Sequence, residues 1–489
     1  MAERSQAVVD GRAGSARGGH GHEMRECSTP ARVPSRAPLH YVPRMADDLR
    51  FPSGFLWGAA TSAHQVEGRN TANDWWRFER RKGAIRGERC SGDACRHWEL
   101  FDEDFARAAA DGHNAHRLSL EWSRLEPARG QFDPGAVAHY HEVFTSLRRH
   151  RLTPIVTLHH FTNPLWVADA GGWEVRETID HFERFVRFCA REYGAEVDWW
   201  CTVNEPEVYA FRGWSEGVWP PAVHDESRAL SVVANLLEAH GRAYRVLKAE
   251  DKADADGDGF SATIGFAKHY TQLEPLRAWN PLDRLQAFFE TRVFIEAVEH
   301  ATVDGTIELS IPGARSVRRV LPELKGALDW YGLNYYTRWM VRALSQRPHV
   351  ARPGALRNDL NWEIWPEGFE EALVHAGRLG HPVLVTENGV ADAKDVLRPS
   401  AIIAFVEAMH RAIASGVSVL GYLHWSLLDN FEWSDGYDGR FGLYAVDFER
   451  RERPRTRRAS AEVYARIARA NALTGAARAA AVDGARTSR

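Results

Sequence analysis

Val197-Asp-Trp-Trp-Cys-Thr-Val-Asn-Glu205 is an apolar, partly β-branched run that ends in a carboxylate and meets Pro206 at once. A short run of this kind, stopped by a proline, reads as a buried strand. Pro382-Val-Leu-Val-Thr-Glu-Asn388, stopped by Gly389, has the same form and carries Glu387 near its end. Outward from these two, similar runs recur at Phe55–His64, His116–Trp122, Pro154–His160, Ala262–His269, Leu328–Tyr336 and Val417–Leu427. Apolar residues at helical spacing fill the intervals: Phe101–Ala110, Pro134–His150, Glu177–Tyr193, Ser227–Lys248, Pro281–His300, Gly368–Leu379 and Pro399–Ser415. Eight strands alternating with helices predict an α/β protein, a single (β/α)8 TIM barrel with elaborated βα loops over residues 49–473. The irregular insertion Thr337–Pro366 is too long for a plain loop and is expected to build part of the rim.

The two ends read differently. Residues 1–48 are rich in Gly, Ala, Ser, Pro and Arg and are expected to be disordered. They hold no apolar run long enough for a secretory or membrane segment, and Glu3, Asp10, Glu23 and Glu26 count against a transit peptide. Ordered-looking sequence begins close to Met45, which reads as an alternative start. Residues 474–489 are rich in Ala, Arg and Gly and read as a flexible tail. Over the whole chain a net charge of −4 gives no reason to expect nucleic acid or a membrane as partner. Cys27, Cys90, Cys95, Cys189 and Cys201 form no zinc framework and suit reduced thiols in a cytoplasmic protein. The 18 Trp exceed what core packing suggests, and aromatic faces also stack on sugar rings.

Chemistry in such a barrel sits where strands end. Gln65 and Glu67 follow the first run, Arg117 and Glu121 lie on the second, and His160 closes the third. Glu205, Tyr336, Glu387 and Trp425 close or follow later ones. Two carboxylates delivered by separate strand ends suit work on a glycosidic bond. One protonates the leaving oxygen, the other attacks the anomeric carbon, and the two groups must lie about 5 Å apart. The acid needs a raised pKa, and the nucleophile needs a cation and donors to stay ionised. Arg117 is a candidate cation, Tyr336 a candidate donor, and Asn204 a candidate donor to a sugar hydroxyl.

Gln65-Val-Glu-Gly68, Arg117-Leu-Ser119, Thr202-Val-Asn-Glu-Pro206, Asn334-Tyr-Tyr336, Thr386-Glu-Asn-Gly389 and Trp425-Ser-Leu-Leu-Asp-Asn-Phe-Glu-Trp433 together resemble the family 1 glycoside hydrolases, the β-glucosidase family. The resemblance runs in order from about Phe51 to Tyr464. It implies retaining hydrolysis of terminal β-linked sugars, with Glu205 as acid/base and Glu387 as nucleophile. Arg117 and Tyr336 would tune the nucleophile and Asn204 would bind the 2-hydroxyl. Gln65, His160, Glu432 and Trp433 would hold other hydroxyls, with Asn334 beside them. Trp425 would lie under the ring, Phe441 would help to close the pocket, and Gly213–Pro221 would shape its entrance. No cofactor and no metal is implied, and the partner is a small β-glycoside or oligosaccharide. Transglycosylation through the same intermediate remains an alternative, as does an inactive sugar-binding barrel.

Two positions depart from the family pattern. Phe161 follows His160 where many members have Trp, so one N–H donor is missing. Glu121 stands where many have a small residue, and strand alternation would place it on the face of Arg117, paired with Arg117 or Arg124. The Glu432 carboxylate would repel a 6-phosphate, which disfavours phosphorylated sugars. Neighbouring strand residues face opposite ways, so His159 and His160 do not form a metal pair. Asp254-Ala-Asp-Gly-Asp-Gly259 resembles the opening of a calcium loop, but Gly265 stands at the twelfth position. It reads as a solvated connection.

Overall fold

The computed structural model describes residues 48–345 and 348–487, with side chains as far as 483. The expected disorder of residues 1–48 therefore falls almost wholly outside the described residues. Eight parallel strands close into a barrel: β1 Leu56–Ala60, β2 Ala115–Ser119, β3 Thr153–His159, β4 Trp199–Asn204, β5 Thr263–Tyr270, β6 Trp330–Tyr335, β7 Val383–Asn388 and β8 Val419–Trp425. Each strand pairs with its neighbours in sequence, and β8 returns to β1 with Tyr422 opposite Trp57. All eight anticipated strands form, with ends displaced by a few residues.

The helices between them are α1 His97–Ala110, α2 Pro134–Arg149, α3 Glu177–Tyr193, α4 Glu226–Glu250, α5 Ala297–Asp304, α6 Pro366–Gly377, α7 Arg398–Ala414 and α8 Ala459–Ala470. Helix α3 shows why the pattern was readable: Ile179, Phe182, Phe185, Val186 and Cys189 recur on one face and all are buried. Helix α2 begins where Asp133 accepts from the Ala136 amide at 2.8 Å and Pro134 takes the first turn. The anticipated single helix Pro281–His300 is instead Pro281–Thr291, a wide π turn Arg292–Glu296, and α5. The rim insertion contributes Trp339–Val341 and His349–Val350, which join Leu273–Pro275 in a three-stranded sheet.

Inside the barrel, small residues make room for large ones. Ala60, Ala115, Cys201 and Ala267 pack with Ile155, Leu384, Leu423 and the buried ring of Trp330. A Cβ on Gly265 would lie 2.4 Å from the Trp330 indole, so only glycine fits there. Trp57, Trp75, Trp122, Trp173, Trp200, Trp214 and Trp330 are all fully buried, so much of the tryptophan surplus is core. The expected flexible tail is corrected: Gly475–Thr487 forms a helix, α9, with Ala477 and Ala481 buried one turn apart and packed towards α7 and α8. Alanines carry too little hydropathy to reveal such a face. No described helix is long and apolar enough to cross a membrane. The acidic connection at Asp254–Gly259 leads into the N-terminal end of β5. There Asp254 accepts from its own loop amides and Asp198 accepts from Ala255 and Asp256.

The two ends of the described chain meet beneath the barrel. Leu49–Arg50 pairs with Ala472–Leu473, and Asn471, in the left-handed region at φ 44°, accepts from the Trp57 indole at 2.8 Å and donates to Phe51 and Pro52. Asn471→Ala removes these bonds and places a Cβ residue without a polar side chain at positive φ. A loss of about 2 kcal/mol is expected, with catalytic turnover unchanged, as checked by thermal melting beside an activity assay.

Candidate active site

At the C-terminal mouth, residues from β2, β3, β4, β6 and β7 join one network centred on Arg117. Its guanidinium, 1% exposed, donates to Glu387 Oε1, to Asn204 Oδ1 at 2.7 Å and to Thr157 Oγ1 at 3.0 Å. The other Glu387 oxygen accepts from the Tyr336 hydroxyl at 2.7 Å. The Asn334 amide donates to Glu205 Oε1 at 2.8 Å and to Asn204 Oδ1 at 3.2 Å, and its carbonyl accepts from Thr386 at 2.6 Å. Hydrogen bonds thus run without a break from Glu387 through Arg117, Asn204 and Asn334 to Glu205. Glu205 itself leaves the strand in the left-handed region at φ 43°, a conformation that costs about 1–2 kcal/mol for a residue with a Cβ. Its amide donates to Ala267 at 2.7 Å and Pro206 starts the following helix.

Electrostatics tie the two carboxyls together. Burial pushes Glu387 up to about 7; Arg117 opposes this, and the charge of Glu205 adds to it. Burial also acts on Glu205, but the charge and hydrogen bonding of His269, with the Asn334 amide and Arg117, outweigh it and hold Glu205 below the ordinary carboxylate value. His269 thus offsets burial at Glu205, and the upward shift belongs to the coupled pair and not to either carboxyl alone. Two such groups in one site lose their protons in macroscopic steps that belong to the pair. The pair carries a single proton up to about 7. Arg117 and Tyr336 both lie on Glu387, which favours the charge there and the shared proton on Glu205.

The second group of anticipated residues lines the mouth from β1, β3 and β8. The Trp425 indole donates to Glu432 Oε1 at 3.0 Å, and Gln65 Nε2 reaches Glu432 Oε2 at 3.4 Å. Gln65 also donates to Asn430 and the Phe431 carbonyl and accepts from Ser62, so its amide anchors the Glu432 loop. The His160 ring lies nearly parallel to Trp425 and Trp433, with centroids 6.2 Å away in each case. Burial, then the charge of Arg117, hold His160 well below its ordinary value, so it is neutral at pH 7. Phe161 packs on Trp219 and Trp433. Phe441 packs edge-on to Tyr336 with Trp362 beside both. Burial pushes Glu432 up to about 8, and Glu387 adds to this against the Trp425 indole.

Some anticipated residues lie elsewhere. Strand β2 ends at Ser119, so alternation does not carry to Glu121. That residue caps the short helix Trp122–Leu125, accepting from Ser123 and from Thr162 at 3.1 Å. The partner of Arg124 is Glu67, at 2.7 Å, which also accepts from Tyr140. His159 points away from His160 and contacts Trp173 and Asn163. Residues of the site that the sequence did not single out include Thr157, Asn430, Trp362 and His269. Of these, His269 ended a strand-like run, the position at which the other functional residues were sought.

Residues 47–473 match the family model described as Glycosyl hydrolase family 1. A β-galactosidase of Pyrococcus woesei is 32% identical, over 87% of this chain and 98% of its own. The β-glycosidase structure from Pyrococcus horikoshii is 34% identical with a TM-score of 0.79, covering 88% of this chain and 97% of that one. A Thermotoga maritima β-glucosidase in complex with glucoimidazole is 30% identical with a TM-score of 0.78, covering 86% and 99%. Arg117→Met leaves Glu387 buried without its cation, and a loss of about 3–5 kcal/mol is expected. The double change Arg117→Met with Glu387→Leu should recover much of that loss, as read from the melting temperatures of a double-mutant cycle.

Proposed function

The chain belongs to glycosyl hydrolase family 1 and is a retaining β-glycosidase, and on that premise we propose that Glu387 is its nucleophile and Glu205 its acid/base. In the first step the Glu387 carboxylate attacks the anomeric carbon while Glu205 gives its proton to the departing glycosidic oxygen. A glycosyl ester and a free alcohol result. In the second step Glu205 takes a proton from water, whose oxygen attacks the same carbon and releases Glu387. The observation that carries this assignment is the asymmetry of the pair. A guanidinium and a phenol hold Glu387, whereas an amide and an imidazole face Glu205.

The substrate proposed is a terminal β-linked glucosyl, galactosyl or fucosyl unit without a phosphate. The Asn204 amide, 3.5 Å from His160, is placed to donate to a 2-hydroxyl. With its carboxyl protonated to about 8, Glu432 offers a sugar hydroxyl both a donor and an acceptor at neutral pH. A neutral Glu432 weakens the anticipated repulsion of a 6-phosphate, but among the described residues no lysine or arginine bonds to Glu432, Gln65 or Trp425. Cys90, Cys95, Cys189 and Cys201 are all free thiols, which suits a cytoplasmic location.

Glu387→Ala should lose cleavage of an aryl β-glycoside by several orders of magnitude, and added azide should restore turnover with an α-glycosyl azide as product. Full activity in that variant would remove Glu387 from the role. In the wild type, activity requires the singly protonated pair. The value of kcat/KM should therefore fall as pH rises through about 7, where that proton is lost.

A further inference from the structure

His269 is the residue at the mouth whose role is not explained by sugar contact. It is the penultimate residue of β5, and its Nδ1 is sealed from solvent without a well-formed hydrogen bond of its own. That atom lies 3.4 Å from Glu205 Oε1, the same oxygen that Asn334 holds at 2.8 Å. The imidazole is fixed from behind. Its backbone amide donates to Glu207 Oε1 at 3.2 Å, and Glu207 forms a fully buried ion pair at 2.8 Å with Lys268, whose ammonium also donates to the His269 carbonyl. On its other side the ring lies near-parallel to Tyr336, at 6.3 Å between centroids. The charged and titratable groups around it are thus Glu205 and Glu207 beyond β4, Lys268 on β5 and Tyr336 beyond β6. Arg117 and Glu387 stand behind Glu205.

We propose that His269 is a positioning residue that steers the proton of Glu205, and this rests on the acid/base reading of Glu205 above. Asn334 presents an amide to Oε1 and can only donate there. An imidazole nitrogen can donate to a carboxylate or accept from a carboxylic acid. A group that serves as acid in one step and base in the next benefits from a neighbour able to do both. Oε1 accepts from Asn334 and faces the imidazole, while Oε2 makes no hydrogen bond among the described residues, so Oε2 is the oxygen presented to the leaving group and then to water. The Lys268–Glu207 pair fixes the backbone that aims the ring.

The consequence appears in the base step. His269 makes Glu205 readier to stand ionised, which opposes retention of the shared proton. The test compares wild type with His269→Asn, which keeps a donor, and His269→Phe, which keeps the ring against Tyr336; Glu205→Ala serves as reference. The readings are the pH profile of kcat/KM on an aryl glycoside, and kcat on a dinitrophenyl glycoside, whose leaving group needs no acid. Both His269 variants should move the alkaline limb upward by about half a unit to one unit. The kcat on the activated substrate should fall about 10-fold, less than in Glu205→Ala, and azide, which needs no base, should restore it. Two results would overturn the inference while leaving Glu205 its role. One is an unmoved limb in both variants with kcat unchanged; the other is an unmoved limb with a loss that azide does not restore. If Glu205→Ala itself shows no azide rescue, the underlying acid/base assignment fails instead.

Discussion

The contact on which the site depends is the ion pair between Arg117 and Glu387, closed off from water at the mouth of the barrel. Two opposite charges removed from solvent are tolerable only if each has its remaining hydrogen-bonding capacity met. Arg117 meets this condition through Thr157 and Asn204, and Glu387 through Tyr336. Those partners come from neighbouring strands of the barrel. The barrel must therefore be closed and in register before Glu387 has its cation. Catalytic geometry and strand register are in this sense one requirement.

The same arrangement sets how the proton is shared. Burial alone would drive both carboxyls neutral, and the guanidinium alone would keep both ionised. The outcome lies between them because each acid has a different companion. Placing the cation on one and an imidazole beside the other lets chemically identical side chains take opposite parts. Glu432, a third buried carboxyl nearby, has an indole, amides and other carboxyls around it and no ion-pair partner among the described residues, and so holds its proton to higher pH.

Much of this was legible in the chain because the relevant signals are periodic or local. Strands buried on both faces read as apolar runs, and their polar ends fall at the mouth, which located Glu205, Glu387, Arg117 and Tyr336. Amphipathic spacing found α2, α3 and α4 to within two residues. The failures have physical causes. Glu121 was placed by extending alternation past Ser119, where β2 has already ended and a helical turn begins. Trp362 lies in an insertion with no period to read, and it reaches Tyr336 only through the folding of the rim. Helix α9 buries alanines, whose weak hydropathy resembles that of a disordered tail. The meaning of His269 depends on which way a strand-end ring points, and that is decided by Lys268 and Glu207 behind it.

Asn471 links the final turn of α8 to the loop that opens β1, and Tyr464 of that helix donates to the Gly58 carbonyl inside the barrel wall. The first and last described segments are thus seams of one cylinder. A chain lacking its last few dozen residues would have all eight strands already synthesised, yet the seam where β8 meets β1 would lack the clasp of Tyr464 and Asn471. Conversely, joining residues near 48 and 475 by a short peptide and opening the chain at an exposed αβ turn should preserve every wall contact. The order in which the polypeptide is threaded is then a matter of synthesis, while the cylinder it forms stays the same.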